Sequence, residues 1–151
     1  MATEVSATTG RAVARLARQV ELAASSVDLT LPQYRLLILL SEGREGASAL
    51  AEKLAVSRPS VTGVVDGLVA RGLVQRDHES GDRRQVGHRL TAAGRRVLAE
   101  ADAEVERRLR DIADYGSDAA AAFEGLGRWQ EALDAYRTAR RAGAPRAGTP
   151  R

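Results

Sequence analysis

The run Ser57-Arg58-Pro59-Ser60-Val61-Thr62 gathers three hydroxyls, one guanidinium and a proline into six residues. Such a set is suited to hydrogen bonding with phosphates and base edges, not to making or breaking bonds. Short side chains, continued by Gly63, let a helix backbone approach a groove. Pro59 fits a first helical turn, where its missing amide hydrogen costs nothing. Ser57 can cap that helix and still offer a phosphate contact, because the two roles use different groups. Further on, Arg76, Arg83, Arg84 and Arg89 flank a polar segment with the composition of a hairpin tip. An arginine-rich hairpin beside a groove-reading helix is placed to reach the adjacent minor groove, whose negative potential favours guanidinium.

Other chemistries find little support. The chain has no cysteine, which removes disulfides, thiolate metal sites and thiol nucleophiles together. His78 and His88 are its two histidines. Both fall on the expected hairpin, where a solvated polar role is favoured over a metal site that would need three or four protein ligands. No metal, cofactor or catalytic residue is expected. Glu100, Asp102, Glu104 and Glu106 recur every two residues, a spacing that scatters carboxylates around a helix and keeps them from converging.

The elements that must position these groups can be read from periodicity. Val13, Leu16, Val20, Ala23 and Val27 line one face of a helix over 9–27. Thr30 and Gln33 form a capping box for a second helix running to about residue 41, whose Leu36-Leu37-Ile38-Leu39-Leu40 core is apolar all round and therefore buried. Residues 42–46 have a turn composition. A short third helix over 48–55 precedes a fourth, capped by Ser57, with Val61, Val64, Val65 and Leu68 as its apolar stripe and Gly72 as a left-handed stop. Strands over 73–76 and 84–90 make a two-stranded wing, and two strands alone must lean on helices. Thr91 caps a fifth helix whose Leu98, Ala101, Val105, Leu109 and Ile112 form a narrow seam seeking a partner. A sixth helix carries Phe123, Leu126, Trp129, Leu133 and Tyr136 on one side, as dimer core more readily than as a ligand cage. The fold expected is mainly α with a two-stranded β wing.

Charge follows the same division. The net charge is +3. Residues 57–96 hold eight arginines against four acids, residues 97–136 four arginines against ten acids, and the tail from Arg137 five arginines and no acid. Positive charge thus gathers where the hydroxyl-rich helix and hairpin lie, and the acidic block after it is poorly suited to phosphates. The longest apolar run, 36–40, is far short of the roughly 20 residues a membrane span needs. Residues 1–10 lack the pattern of a secretory signal, so a cytoplasmic protein is expected.

A short helix, a tight turn and a second helix with small polar residues on its exposed start describe a helix-turn-helix. Over 31–94 the sequence resembles the MarR family of winged helix-turn-helix transcription regulators. The resemblance is carried by Leu31-Pro32-Gln33-Tyr34, Leu50-Ala51-Glu52-Lys53-Leu54, Ser57-Arg58-Pro59-Ser60-Val61-Thr62, Leu68-Val69-Ala70-Arg71-Gly72-Leu73-Val74, the wing signature Asp82-Arg83-Arg84, and Leu90-Thr91-Ala92-Ala93-Gly94. It implies an N-terminal dimerisation helix over 1–30, a DNA-binding lobe over 31–96 and C-terminal dimerisation helices over 97–141, while the Ala/Arg/Gly/Pro composition of 142–151 by itself predicts a disordered tail. It also implies a homodimer on a pseudo-palindromic operator in double-stranded DNA.

Carried over by position, Ser57, Arg58, Pro59, Ser60 and Thr62 contact the major groove, and Arg84 enters the minor groove, held by Asp82. An ordinary surface pair of Asp82 with Arg84, worth about 0–1 kcal/mol, is the plainer reading; placement at the hairpin tip favours the orienting role. A small-molecule effector is expected in a cleft between lobe and dimerisation helices, with Arg15, Tyr34 and Arg35 lining it. The chain departs from the family pattern at Gly67, where a basic residue is common, and at Gly87, where an apolar one is usual, which predicts a looser wing. The functional reading is a ligand-responsive repressor. Its rival is a winged-helix interaction module that does not read DNA, and an enzyme is the weakest alternative.

Overall fold

The computed structural model describes residues 6–78 and 86–141. The chain divides into two compact units, one within residues 1–109 and the other within 110–151. The first holds α1 (Ala7–Ser25), α2 (Leu31–Ser41), β1 (Glu45–Gly46), α3 (Ala47–Leu54), α4 (Arg58–Ala70), β2 (Val74–His78), β3 (Val86–Leu90) and most of α5 (Ala92–Ala113); α6 (Ala119–Arg141) belongs to the second. No helix among the described residues is long and apolar enough to cross a membrane.

Local chemistry sets most boundaries. Thr30 accepts the Gln33 amide at 3.3 Å while the Gln33 side chain accepts the Thr30 amide at 3.0 Å, the reciprocal capping box that starts α2. Gly72 ends α4 with φ of 70°, and the bonds from Gly72 to the Val69 carbonyl and from Leu73 to the Leu68 carbonyl satisfy the helix's last acceptors. Between α3 and α4 the turn runs through Ala55, left-handed at φ of 55°. A non-glycine residue there costs about 1–2 kcal/mol, which packing of the two helices must offset.

The core lies among α2, α3, α4 and the sheet. Leu36, Leu37, Leu50, Val61, Val65, Leu68 and Val74 are fully buried. As its all-round apolar character requires, α2 buries Tyr34, Leu36, Leu37, Leu39 and Leu40 on several sides. In contrast, α1 buries only Ala23 and Ala24 near its end, and Val13 is exposed. Burial also fades along α5, from Leu98 and Ala101 to an exposed Ile112.

The sheet corrects one expectation. It has three antiparallel strands in the order β1-β3-β2, not two. Glu45 and Gly46, expected in a turn, pair with His88 and Gly87 of β3. A strand of two residues has no periodicity to detect; it exists because the unpaired side of β3 lies beside the chain leaving α2. With β1 in place, β3 becomes the central strand, and α2, α3 and α4 pack against the sheet.

In the second unit α6 carries an uncovered apolar stripe. Phe123, Leu126, Trp129, Leu133 and Tyr136 are all exposed, Trp129 at 61%.

Candidate nucleic-acid interface

The site begins at the Ser57 cap. Its Oγ accepts the Ser60 amide at 3.3 Å and lies 2.7 Å from the Ser60 Oγ, so the two hydroxyls sit together at the start of α4. Pro59 occupies the first turn, and Thr62 donates its hydroxyl to the Arg58 carbonyl at 3.0 Å. Val61, Val65 and Leu68 pin the opposite face into the core. Ser57, Arg58, Pro59, Ser60, Thr62 and Gly63 are consequently all exposed on one helix start. A Cβ at Gly63 would meet nothing, so this face is smooth. The helix start adds partial positive charge that favours an anion, although the Ser60 and Val61 amides are already taken by Ser57 and Pro59 has none to give.

The wing root is tied to this helix. Arg76 on β2 forms an ion pair with Asp66 on α4, and both side chains are about half exposed. A surface pair of this kind adds little stability. Its consequence is geometric, since it fixes the exposed edge of the sheet to the exposed face of α4. The sequence offers one hint of it: Asp66 is the sole acid in α4.

Across the solvent face of the sheet, Arg44 reaches over Gly87 to Asp77, its Nε 3.5 Å from the carboxylate and its terminal nitrogen 3.4 Å from the Asp77 carbonyl. Asp77 also pairs with Arg89, the diagonal neighbour on β3. A Cβ on Gly87 would penetrate the Arg44 guanidinium. Gly87 is thus the seat for an arginine side chain. At Gly67 an added Cβ would come no nearer than 3.8 Å to the Gln33 side chain, an ordinary contact.

On the opposite face of the sheet His88 is buried, with Nδ1 3.2 Å from the Glu45 carbonyl oxygen. The solvated role expected for it is corrected: β1 covers a ring that a two-stranded hairpin would have left open. Burial pushes the imidazole below its ordinary value, and nearby Arg76 and Arg44 act in the same direction against the opposing Glu45 carbonyl and Asp66. Lys53 pairs with the Glu45 carboxylate on the same strand. The described residues contain no cluster of three or more potential metal ligands.

The remaining expected site residues are placed as follows. Tyr34 donates its hydroxyl to Asp102 of α5 at 2.6 Å, and burial together with that acceptor pushes the phenol well above its usual range. Arg35, one residue on, turns toward the Leu54 carbonyl at the end of α3, 3.4 Å away. Arg15 is exposed on α1. Tyr34 and Arg35 therefore face different neighbours. Asp82, Arg83 and Arg84 lie outside the described residues.

Residues 29–86 match the MarR family model. The regulator FarR of Neisseria gonorrhoeae is 35% identical over 85 residues, covering 56% of this chain and 58% of that protein. AdcR of Streptococcus pneumoniae is 37% identical over 76 residues, covering 50% and 52%. The chain spans about half the length of the curated relatives it matches. Among solved structures, the repressor CouR bound to a 23-mer DNA duplex aligns with a TM-score of 0.70 at 25% identity, over 87% of this chain and 99% of that one. NadR in complex with 4-hydroxyphenylacetate aligns with a TM-score of 0.70 at 28% identity, over 91% and 96%.

Proposed function

Because the chain belongs to the MarR family through its winged helix-turn-helix, we propose that it regulates transcription by binding double-stranded DNA as a homodimer. The observation that carries this reading is the exposed start of α4, where Ser57, Arg58, Ser60 and Thr62 stand together at the positive end of a helix pinned to the core by its other face. These groups would meet base edges and phosphates in the major groove. Arg83 and Arg84 would extend the wing to the minor groove, with Asp82 orienting Arg84. Arg76 would act chiefly as the brace between wing and α4, since Asp66 already holds it.

The dimer reading is supported by the uncovered stripe on α6, from Phe123 to Tyr136, a large apolar face that a second copy would bury. Two subunits would then place two α4 helices in successive major grooves of a pseudo-palindromic operator, about 34–36 Å apart. A ligand-responsive repressor follows if an effector shifts that spacing. Arg15, Tyr34 and Arg35 are the proposed effector contacts, and Tyr34 would exchange its bond with Asp102 for one to the ligand.

The test is binding of the purified protein to the duplex upstream of its own gene, at several salt concentrations. A specific complex whose affinity falls steeply with salt is expected. Equal affinity for random duplex would overturn the regulator reading and favour an interaction module.

A further inference from the structure

The inner face of the sheet carries one cross-strand row, because Glu45 pairs with His88 and His88 with Arg76. Directly opposed residues share a face. Both ends of the row leave the sheet for a helix. Arg76 is held by Asp66 of α4, and the Glu45 carboxylate pairs with Lys53 of α3. At the centre His88 Nδ1 lies 3.2 Å from the Glu45 carbonyl oxygen, which can only accept, so Nδ1 carries the hydrogen. The row therefore runs from α3 through β1, β3 and β2 to α4, and each helix of the helix-turn-helix is tied to one end of it.

The two ends are not equivalent. The side chains of Arg76 and Asp66 are 46% and 52% exposed, those of Lys53 and Glu45 only 14% and 22%. A pair so far out of solvent holds its geometry, since moving either partner strands the charge of the other. Gly46 caps α3 without a side-chain bond, so the cap itself does not fix how the helix starts. Glu45, just before that cap, and Lys53, in the last turn, complement the positive and negative ends of the helix. Helical side chains tilt toward the N-terminus, the direction Lys53 takes to reach Glu45. The pair thus spans the length of α3. Beyond it, Ala55 and Val56 donate to the Glu52 and Ala51 carbonyls and close the turn that passes the direction of α3 on to α4.

We infer that the Glu45–Lys53 pair positions the DNA-reading helix: it fixes how α3 lies on the sheet and, through the Ala55 turn, the angle at which Ser57, Ser60 and Thr62 meet the groove. Both are positioning residues and need not touch DNA. The effect on recognition rests on the DNA-binding reading, whereas the hold on α3 does not. The rival role for this lysine is a phosphate contact, because the first helix of such a motif crosses the backbone. Its low exposure and its engagement by Glu45 argue against that.

Amide hydrogen exchange of the free full chain tests the hold. In Lys53→Met, protection across α3 is expected to fall at least about tenfold further than across α2, since a local opening exposes only the element released. An equal loss in both helices, or none, overturns the proposal. Titration with the duplex upstream of the gene and with random duplex tests the consequence. Lys53→Met and Glu45→Gln are each expected to cut the preference between the two by about tenfold, the scale of one mis-set base contact. The double variant, which strands no charge, should lose no more than either single one. Its salt slope should change by less than the ~0.9 that one phosphate contact contributes. An undiminished preference, additive losses, or a slope reduced by a full contact with equal losses on both duplexes overturns the proposal. If the wild type shows no preference at all, the regulator reading fails alone, and the exchange result still decides the hold on α3.

Discussion

Gly94, in the first turn of α5, lies so close to the Leu73 carbonyl oxygen that a Cβ there would penetrate it. The approach is organised by Thr91. Its amide donates to the same carbonyl at 3.1 Å, its hydroxyl donates to the Gly72 carbonyl at 2.7 Å, and its Oγ accepts the Gly94 amide at 3.0 Å. The end of the turn after α4 and the start of α5 are thereby locked together, which fixes where the wing leaves and where it returns.

Gly94→Ala should therefore destabilise the protein. The obstacle is backbone, which cannot rotate away as a side chain can, and overpacking of this kind costs about 1–3 kcal/mol. Urea unfolding should show a lowered midpoint at unchanged slope. An unchanged midpoint would mean that α5 can shift at no cost.

Asp66→Asn separates stability from recognition. The Asp66–Arg76 pair is half exposed, so unfolding should change by less than about 1 kcal/mol. Removing a negative charge from the exposed face of α4 should tighten binding to random duplex while narrowing the preference for the operator, because Arg76 is released to any phosphate. A large loss of stability, or an undiminished preference, would contradict the brace assigned to this pair.

His88 predicts a pH dependence. Its folded-state pKa lies below its unfolded value of about 6.5, chiefly through burial, so the unfolded chain binds the proton more readily. Stability is then fully present above about pH 6.5 and lost as pH falls from there toward the depressed value. Thermal melting between pH 8 and pH 5 should show this loss in the wild type and a flatter profile in His88→Gln. Parallel profiles would place the titration elsewhere.

Tyr34→Phe removes the donor to Asp102 and leaves a partly buried carboxylate short of a partner. A cost of about 1–3 kcal/mol is expected, read by chemical unfolding. The upward-shifted phenol stays protonated through the neutral range, so the cost should hold from pH 6 to pH 9. A neutral substitution would show that water replaces the hydroxyl freely.

What the amino-acid sequence determined by itself is what short-range chemistry controls. The Thr30 capping box, the Ser57 cap with Pro59, the Gly72 stop and the apolar steps of α2 and α4 each act within a few residues, so type and spacing were enough to place the helices and to expose the start of α4. The relations that only tertiary structure decided join residues far apart in the chain. Nothing near Glu45 announces a strand, because its partner His88 is 43 positions away, and without β1 the same histidine looks solvated. Gly87 looks like a gap until Arg44 is seen lying over it, and Tyr34 meets Asp102 across 68 positions. Periodicity reports which face of an element is apolar. Which polar groups meet across the sheet depends on how the elements dock, and that docking is set by the whole core at once.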